Sequence, residues 1–204
     1  MNRVEFFYDL SSPWTWMAFH AIGPVLAEAG TGMTLRPLLV GGVFNAVNPG
    51  VYANRENAQS PKARAMAKWT KEWGAYAGVP MNFPSPFHPL RSVHAMRFCC
   101  ALEENQPALE KFTRAAFEAY FRDQRNLDDP AELVAVADAC GLDGAAVGDM
   151  AQSQPVKDRL RTNTDEAIAR GAFGSPTIFV DTEHMYFGND QLPLVRARLM
   201  GDTL

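Results

Sequence analysis

The sequence predicts an α/β protein whose sheet is assembled from its two ends, with an all-helical block between them. Three observations carry this. The opening reads as an apolar run, Val4 to Tyr8, then a helical pattern, then a second strand-like run. Between about residues 41 and 154 strand patterning vanishes and apolar residues recur at helical spacing. After residue 155 a helix, two short strand-like runs and a last helix follow in order.

At 204 residues the chain fits one domain, or one domain carrying a large insertion. Its 47% hydrophobic and 21% charged residues are those of an ordinary globular protein. A net charge of -4 with scattered Arg and Lys argues against nucleic-acid binding. Glu5 and Asp9 interrupt any early apolar run, and no stretch of uncharged apolar residues is long enough to span a bilayer, so a cytoplasmic protein with no membrane partner is expected. Cys99, Cys100 and Cys140 form no C-x-x-C pair and no metal-ligand spacing, so no metal is expected and the three are read as buried small hydrophobes.

The first helix runs from Pro13 to Ala29, with Trp14, Met17, Ala21, Ile22, Val25 and Leu26 on its apolar side and Gly30 as its stop. Gly23-Pro24 inside it predicts a kink or break. A second strand, Thr34 to Val40, completes β-α-β, whose crossover makes the two strands parallel neighbours. A polar loop is expected from Gly41, and then helices. Met66, Trp69, Trp73 and Tyr76 form one apolar stripe and Leu109, Phe112, Ala116 and Tyr120 another, both read as core. Asp129-Pro130-Ala131-Glu132 supplies a cap, a first-turn proline and an acidic third position for a helix ending near Gly141. A helix with Val156, Leu160, Ala167 and Ile168 on one face leads to "FGSPTIFVD" and "EHMYFGND", a hairpin turning at Asp181-Thr182-Glu183, and a helix from about Asp190 closes the chain. This order is that of a thioredoxin-like fold with a large all-helical insertion. Residues 1–40 and 155–204 would form the thioredoxin-like domain and residues 41–154 the helical insertion domain.

The chemistry concentrates where the first strand meets the first helix, at "DLSSPWTW". A helix N-terminus presents unpaired N–H groups and partial positive charge, which stabilise an anion, a thiolate included. Ser11 or Ser12 can cap the helix. In thioredoxin-like redox proteins this junction carries Cys-Pro-x-Cys; here it reads Ser12-Pro13-Trp14-Thr15, a hydroxyl in each thiol position. Disulfide chemistry is thereby excluded, and what remains suits a thiolate brought by a ligand. "GSPT" at 174–177 falls where such folds place a cis-proline facing the same helix end. A cis Ser175-Pro176 bond would leave the Ser175 backbone able to pair with a peptide-like ligand in strand fashion, and glutathione is such a ligand. "FGND" at 187–190 opens the last helix, where N–H groups suit a carboxylate and Asp190 an ammonium.

With "FFYDLSSPWTW", "NRE", "SPK", "GVPMNFP...PLRSVHAMR" and "GAFGSPTIFVD...YFGND" in this order, the chain resembles the 2-hydroxychromene-2-carboxylate isomerases, bacterial relatives of kappa-class glutathione transferases within the DsbA-like thioredoxin superfamily. The resemblance implies glutathione as cofactor and Ser12 as the catalytic hydroxyl that hydrogen-bonds its sulfur, lowering a thiol pKa that is about 8.5 when free. It implies that Ser175 and Pro176 pair with the cysteinyl unit, that Phe187, Gly188, Asn189 and Asp190 hold the γ-glutamyl end, and that Lys62 binds glutathione too, a solvated charge at a helix start being its alternative. Asn54 and Arg55 match a substrate-side pair, and an Arg fork suits a substrate carboxylate. The implied reaction is isomerisation of an aromatic conjugated pyruvate by reversible thiolate addition and elimination, in a homodimer. A kappa-class-like glutathione transferase, a DsbA-family thiol oxidoreductase and a non-catalytic binding protein on the same scaffold are the alternatives. Asn45 and His88 depart from the family pattern; His88 is read as a solvated loop residue, with contact to substrate as the alternative, and His20 and His94 as structural.

Overall fold

The protein is described here by a computed structural model covering residues 3–52 and 59–203. Strand β1 (Val4–Tyr8) lies parallel to β2 (Met33–Pro37) and antiparallel to β3 (Thr177–Val180), which pairs antiparallel with β4 (His184–Phe187). The sheet order is β2-β1-β3-β4, so the two ends of the sequence meet at its centre. Helix α1 (Pro13–Glu28) makes the crossover between β1 and β2.

Alternation along β1 decides what each face buries. Phe6 and Tyr8 point into the larger cluster, with Trp16, Phe19, Phe112 and Phe117, whereas Phe7 joins Leu38, Val43, Ala167 and Phe179 on the other side. Between β2 and β3 the chain forms α2 (Val40–Val47), α3 (Pro61–Tyr76), α4 (Val93–Ala101), α5 (Gln106–Phe117) continued by a π turn, α6 (Pro130–Ala139), α7 (Gly144–Gln152) and α8 (Gln154–Ala169). A 3-10 turn, Asn189–Gln191, leads into α9 (Leu192–Met200). Among the described residues no helix is long and apolar enough to cross a membrane.

The thioredoxin-like order read from the sequence is what the structure has, and four local expectations change. Helix α1 runs unbroken through Pro24, which is exposed, as is His20 four residues before it, so the carbonyl that loses its donor lies on the wet side. β2 ends at Pro37: Leu38 N–H still donates to the Tyr8 carbonyl on β1, but beyond it Leu39 N–H turns to Thr164 Oγ1 and Val40 N–H to Asp9 Oδ2. The loop expected from Gly41 is helix α2, held by burial of Val40 and Val43 under β1 and α8. Of the stripe on α3, Trp73 is half-buried against the core and the other three are not core. Trp69 is 51% and Tyr76 84% exposed, Met66 is exposed too, and the helix turns Thr70 and Gly74 inward instead. The second stripe is core as expected, with Leu109, Phe112, Ala116 and Tyr120 fully buried.

An ion network backs the sheet. The Glu5 carboxylate, buried on β1, receives Arg3, Arg36 and Arg170, and Arg36 reaches Glu103 and Glu166 as well. The Arg170 guanidinium lies 3.8 Å from the centroid of the Phe179 ring. A carboxylate this deep is tolerable only because several cations share it.

Candidate functional site

Ser12, not Ser11, caps α1. Its backbone is extended and its Oγ accepts from Thr15 N–H at 3.2 Å, while Pro13 fills the first turn, where a missing N–H costs nothing. The Ser12 hydroxyl in turn donates to the Ser175 carbonyl at 3.2 Å. The Ser175-Pro176 peptide bond is cis, a geometry the sequence left open, and this loop faces the helix end.

The Ser175 side chain is pinned from two directions. Asp9 N–H donates to its Oγ at 2.9 Å, and Thr15 Oγ1 lies 2.8 Å from it. Thr15 is fully buried. Both positions that hold thiols in redox relatives of the fold are thus hydroxyls engaged with the cis-proline loop.

Asp9 supports this junction from beneath. Its Oδ1 accepts from Ser11 N–H at 2.8 Å, and its Oδ2 accepts from Val40 N–H at 2.9 Å and Ser92 Oγ at 2.8 Å. Burial pushes the Asp9 carboxyl above the ordinary carboxylate range, against the pull of those donors. The sequence reading missed this residue and Ser92. The signal available was an acid placed between the end of a largely apolar strand and the serines that open the helix.

The final loop reaches the site through Gly188 N–H, which donates to the Pro176 carbonyl at 3.2 Å. Gly188 has φ +103, and a Cβ there would stand 2.6 Å from Asp190 Oδ1. A Cβ on Gly174 would meet the Phe187 ring at 2.5 Å. Two glycines therefore let Phe187 and Asp190 close upon the cis-proline loop. Phe187 pairs with Phe173, ring centroids 4.3 Å apart, both partly exposed. Asn48 Nδ2 donates to the Phe173 carbonyl at 3.1 Å, drawing the end of α2 to the same rim. Asn189 is buried, and Asp190 is exposed and accepts from Gln191 Nε2 at 3.1 Å.

The structure thus brings together Ser12, Ser175, Pro176, Phe187, Gly188, Asn189 and Asp190. Lys62 lies exposed in the first turn of α3, and α3 touches α1. Asn54 and Arg55 fall outside the described residues. Asn45 accepts from Tyr52 Oη at 2.9 Å. His88 is not a solvated loop residue: it is half-buried, its Nδ1 is 3.4 Å from Tyr120 Oη, and its ring meets Phe83 edge-on. His20 is exposed and His94 half-buried. The three cysteines are buried, and burial pushes the Cys99 thiol up to about 12 and that of Cys100 higher still. Such thiols are not nucleophiles at neutral pH.

The family model described as a DSBA-like thioredoxin domain matches residues 3–200. Glutathione S-transferase kappa 1 of Homo sapiens is 27% identical over 98% of this chain and 92% of its own length. A 2-hydroxychromene-2-carboxylate isomerase of Sphingobium xenophagum is also 27% identical, over 98% of each chain. Among solved structures, a 2-hydroxychromene-2-carboxylate isomerase superposes with a TM-score of 0.79 at 21% identity, covering 98% of this chain and 94% of that one.

Proposed function

This chain belongs to the DSBA-like thioredoxin domain family, and we propose that within it the protein is a glutathione-dependent isomerase acting on 2-hydroxychromene-2-carboxylate or a similar aromatic conjugated pyruvate. One observation carries the reading: the Ser12 hydroxyl caps a helix N-terminus directly against the backbone of a residue preceding a cis-proline, with no sulfur in either position of the motif. The donor set fits glutathione. A helix end and a hydroxyl suit a thiolate, the Ser175 backbone a peptide unit, and Asp190 an ammonium group. The glycines at 174 and 188 keep that rim free of side chains that would push Phe187 and Asp190 away.

Glutathione, when bound, supplies a sulfur nucleophile that adds to a conjugated carbon and leaves again, so that rotation about the intervening bond gives the isomer without redox change. Ser12 would stabilise the sulfur as an anion by donating a hydrogen bond from its hydroxyl, aided by the dipole of α1. Ser175 and Pro176 would hold the cysteinyl unit, Phe187, Gly188, Asn189 and Asp190 the γ-glutamyl end, and Lys62 another part of the tripeptide. Asn54 and Arg55 would take the substrate carboxylate, the Arg by a two-pronged contact that orients the reacting carbon.

The test is to follow 2-hydroxychromene-2-carboxylate spectroscopically with and without glutathione. Isomerisation that requires the tripeptide and leaves its concentration unchanged is expected. Consumption of glutathione by an electrophile would instead identify a kappa-type transferase, the function in the name of the human relative. On this reading the enzyme works in the cytoplasm as a homodimer, with residues 1–40 and 155–204 as the glutathione-binding unit and residues 41–154 as a helical domain over it; sedimentation at a monomer's mass would refute the dimer.

A further inference from the structure

The Ser12 hydroxyl has one proton to give, and it is committed. It donates to the Ser175 carbonyl, while the oxygen accepts from Thr15 N–H. Ser175 is 7% exposed, and among the described residues Ser12 is the donor to its carbonyl. The same proton cannot reach a bound sulfur while it rests there. Turning it away leaves that carbonyl, on a residue only 7% exposed, without its protein donor, which costs free energy unless another donor arrives.

Resting on the glutathione reading, we infer that Ser12 is held off the sulfur until an amide N–H of the ligand takes over the Ser175 carbonyl, so that the site activates thiols carried on a peptide backbone and leaves simple thiols unactivated. The surroundings make this a switch of one hydrogen. Ser175 cannot swing its carbonyl aside, because its Oγ is fastened by Asp9 N–H and Thr15 Oγ1 and the next residue is tied to Gly188 through the Pro176 carbonyl. Thr15 N–H keeps the Ser12 oxygen in place, so rotation about the Cβ–Oγ bond redirects the proton without moving the side chain. When the thiol ionises its proton passes to water, and Ser12 keeps its own. Specificity for a peptide-borne thiol thus resides in the pair Ser12 Oγ and Ser175 C=O, in addition to whatever grips the ends of the ligand.

The experiment titrates the ultraviolet thiolate absorbance of two saturated complexes, one with glutathione and one with its ester analogue, in which oxygen replaces the cysteinyl N–H. The expected result is a bound glutathione thiol depressed below its free pKa, with Ser12→Ala raising it by at least about one unit. The analogue's thiol should ionise at least about one unit higher, a tenfold difference, and Ser12→Ala should leave it unmoved. Equal depression of both thiols, each lost in Ser12→Ala, overturns the inference. A second readout does not need the analogue. The 13C resonance of the Ser175 carbonyl should move on Ser12→Ala in the free protein and stay still in the glutathione complex; a shift in both states, or in neither, is equally fatal. Failure of glutathione to bind by calorimetry would sink the glutathione reading itself, and this inference with it.

Discussion

Thr15 Oγ1 lies 2.8 Å from Ser175 Oγ, so the first turn of α1 and the cis-proline loop are fastened by a pair of buried hydroxyls. Thr15→Val keeps the shape and removes the bond. Loss of about 1 kcal/mol of stability is expected, with a several-fold rise in the glutathione dissociation constant as Ser175 loosens. Denaturant unfolding and calorimetry check the two together. A variant that binds as tightly as the parent would mean that Thr15 merely fills space.

Ser12→Ala removes a helix cap and the proposed catalytic hydroxyl. The cap costs about 1 kcal/mol, too little to unfold the protein, whereas the isomerisation rate should fall by about a hundredfold or more. Circular dichroism melts beside steady-state kinetics separate the effects. Near-normal turnover in a folded Ser12→Ala protein would remove Ser12 from the mechanism.

The protein should not reduce disulfides. Ser12 and Thr15 offer no thiol, and the cysteines elsewhere are buried with thiols pushed far above neutral pH. An insulin-turbidity assay with excess dithiol is expected to match the protein-free blank; acceleration would revive the oxidoreductase alternative.

Gly188→Ala is expected to cost about 1 kcal/mol or more, since φ +103 strains any Cβ and the nearest atom is only 2.6 Å away. Gly174→Ala meets the Phe187 ring at 2.5 Å, so adding Phe187→Ala to it should restore much of the lost stability. Thermal unfolding of the single and double variants provides the comparison, and purely additive losses would show that ring contact is not the cause.

Glu166 gives a pH signature. Partial burial pulls its carboxyl up, but hydrogen bonds and charge from Arg36 and Arg170 outweigh this and hold it below its ordinary 4.5. A depressed acid contributes stability that is present above its unfolded pKa and is lost as pH falls through the folded one. The stability difference between wild type and Glu166→Gln should therefore be full at neutral pH and shrink below about pH 4.5, measured by urea unfolding across that range. A difference that grew in acid would contradict the assignment.

Much of this was legible in the amino-acid order. The β-α-β opening and the α-β-β-α close gave the sheet, and Ser12, Ser175-Pro176 and the 187–190 loop were located by motif before their meeting could be seen. What escaped had a common cause, since long-range partners outweighed local pattern. Gly41 and Gly42 suggested a loop, yet Val40 and Val43 bury themselves under strands distant in sequence and hold a helix there. On α3 Met66, Trp69 and Tyr76 looked like core, but this helix packs through Thr70, Gly74 and Trp73, the first two small enough to allow close approach. Asp9, Thr15 and Ser92 acquire meaning only when four segments converge, which no window along the chain displays.

Asp9 has one more implication. A single residue anchors the roots of α1, α2, α4 and the cis-proline loop, two of them through main-chain atoms and two through its carboxylate. Robustness and catalysis therefore draw on a shared foundation. Selection for heat tolerance and selection for altered substrates would both leave this position untouched, and evolutionary latitude would be found outward, on the exposed face of α3 around Trp69 and Tyr76.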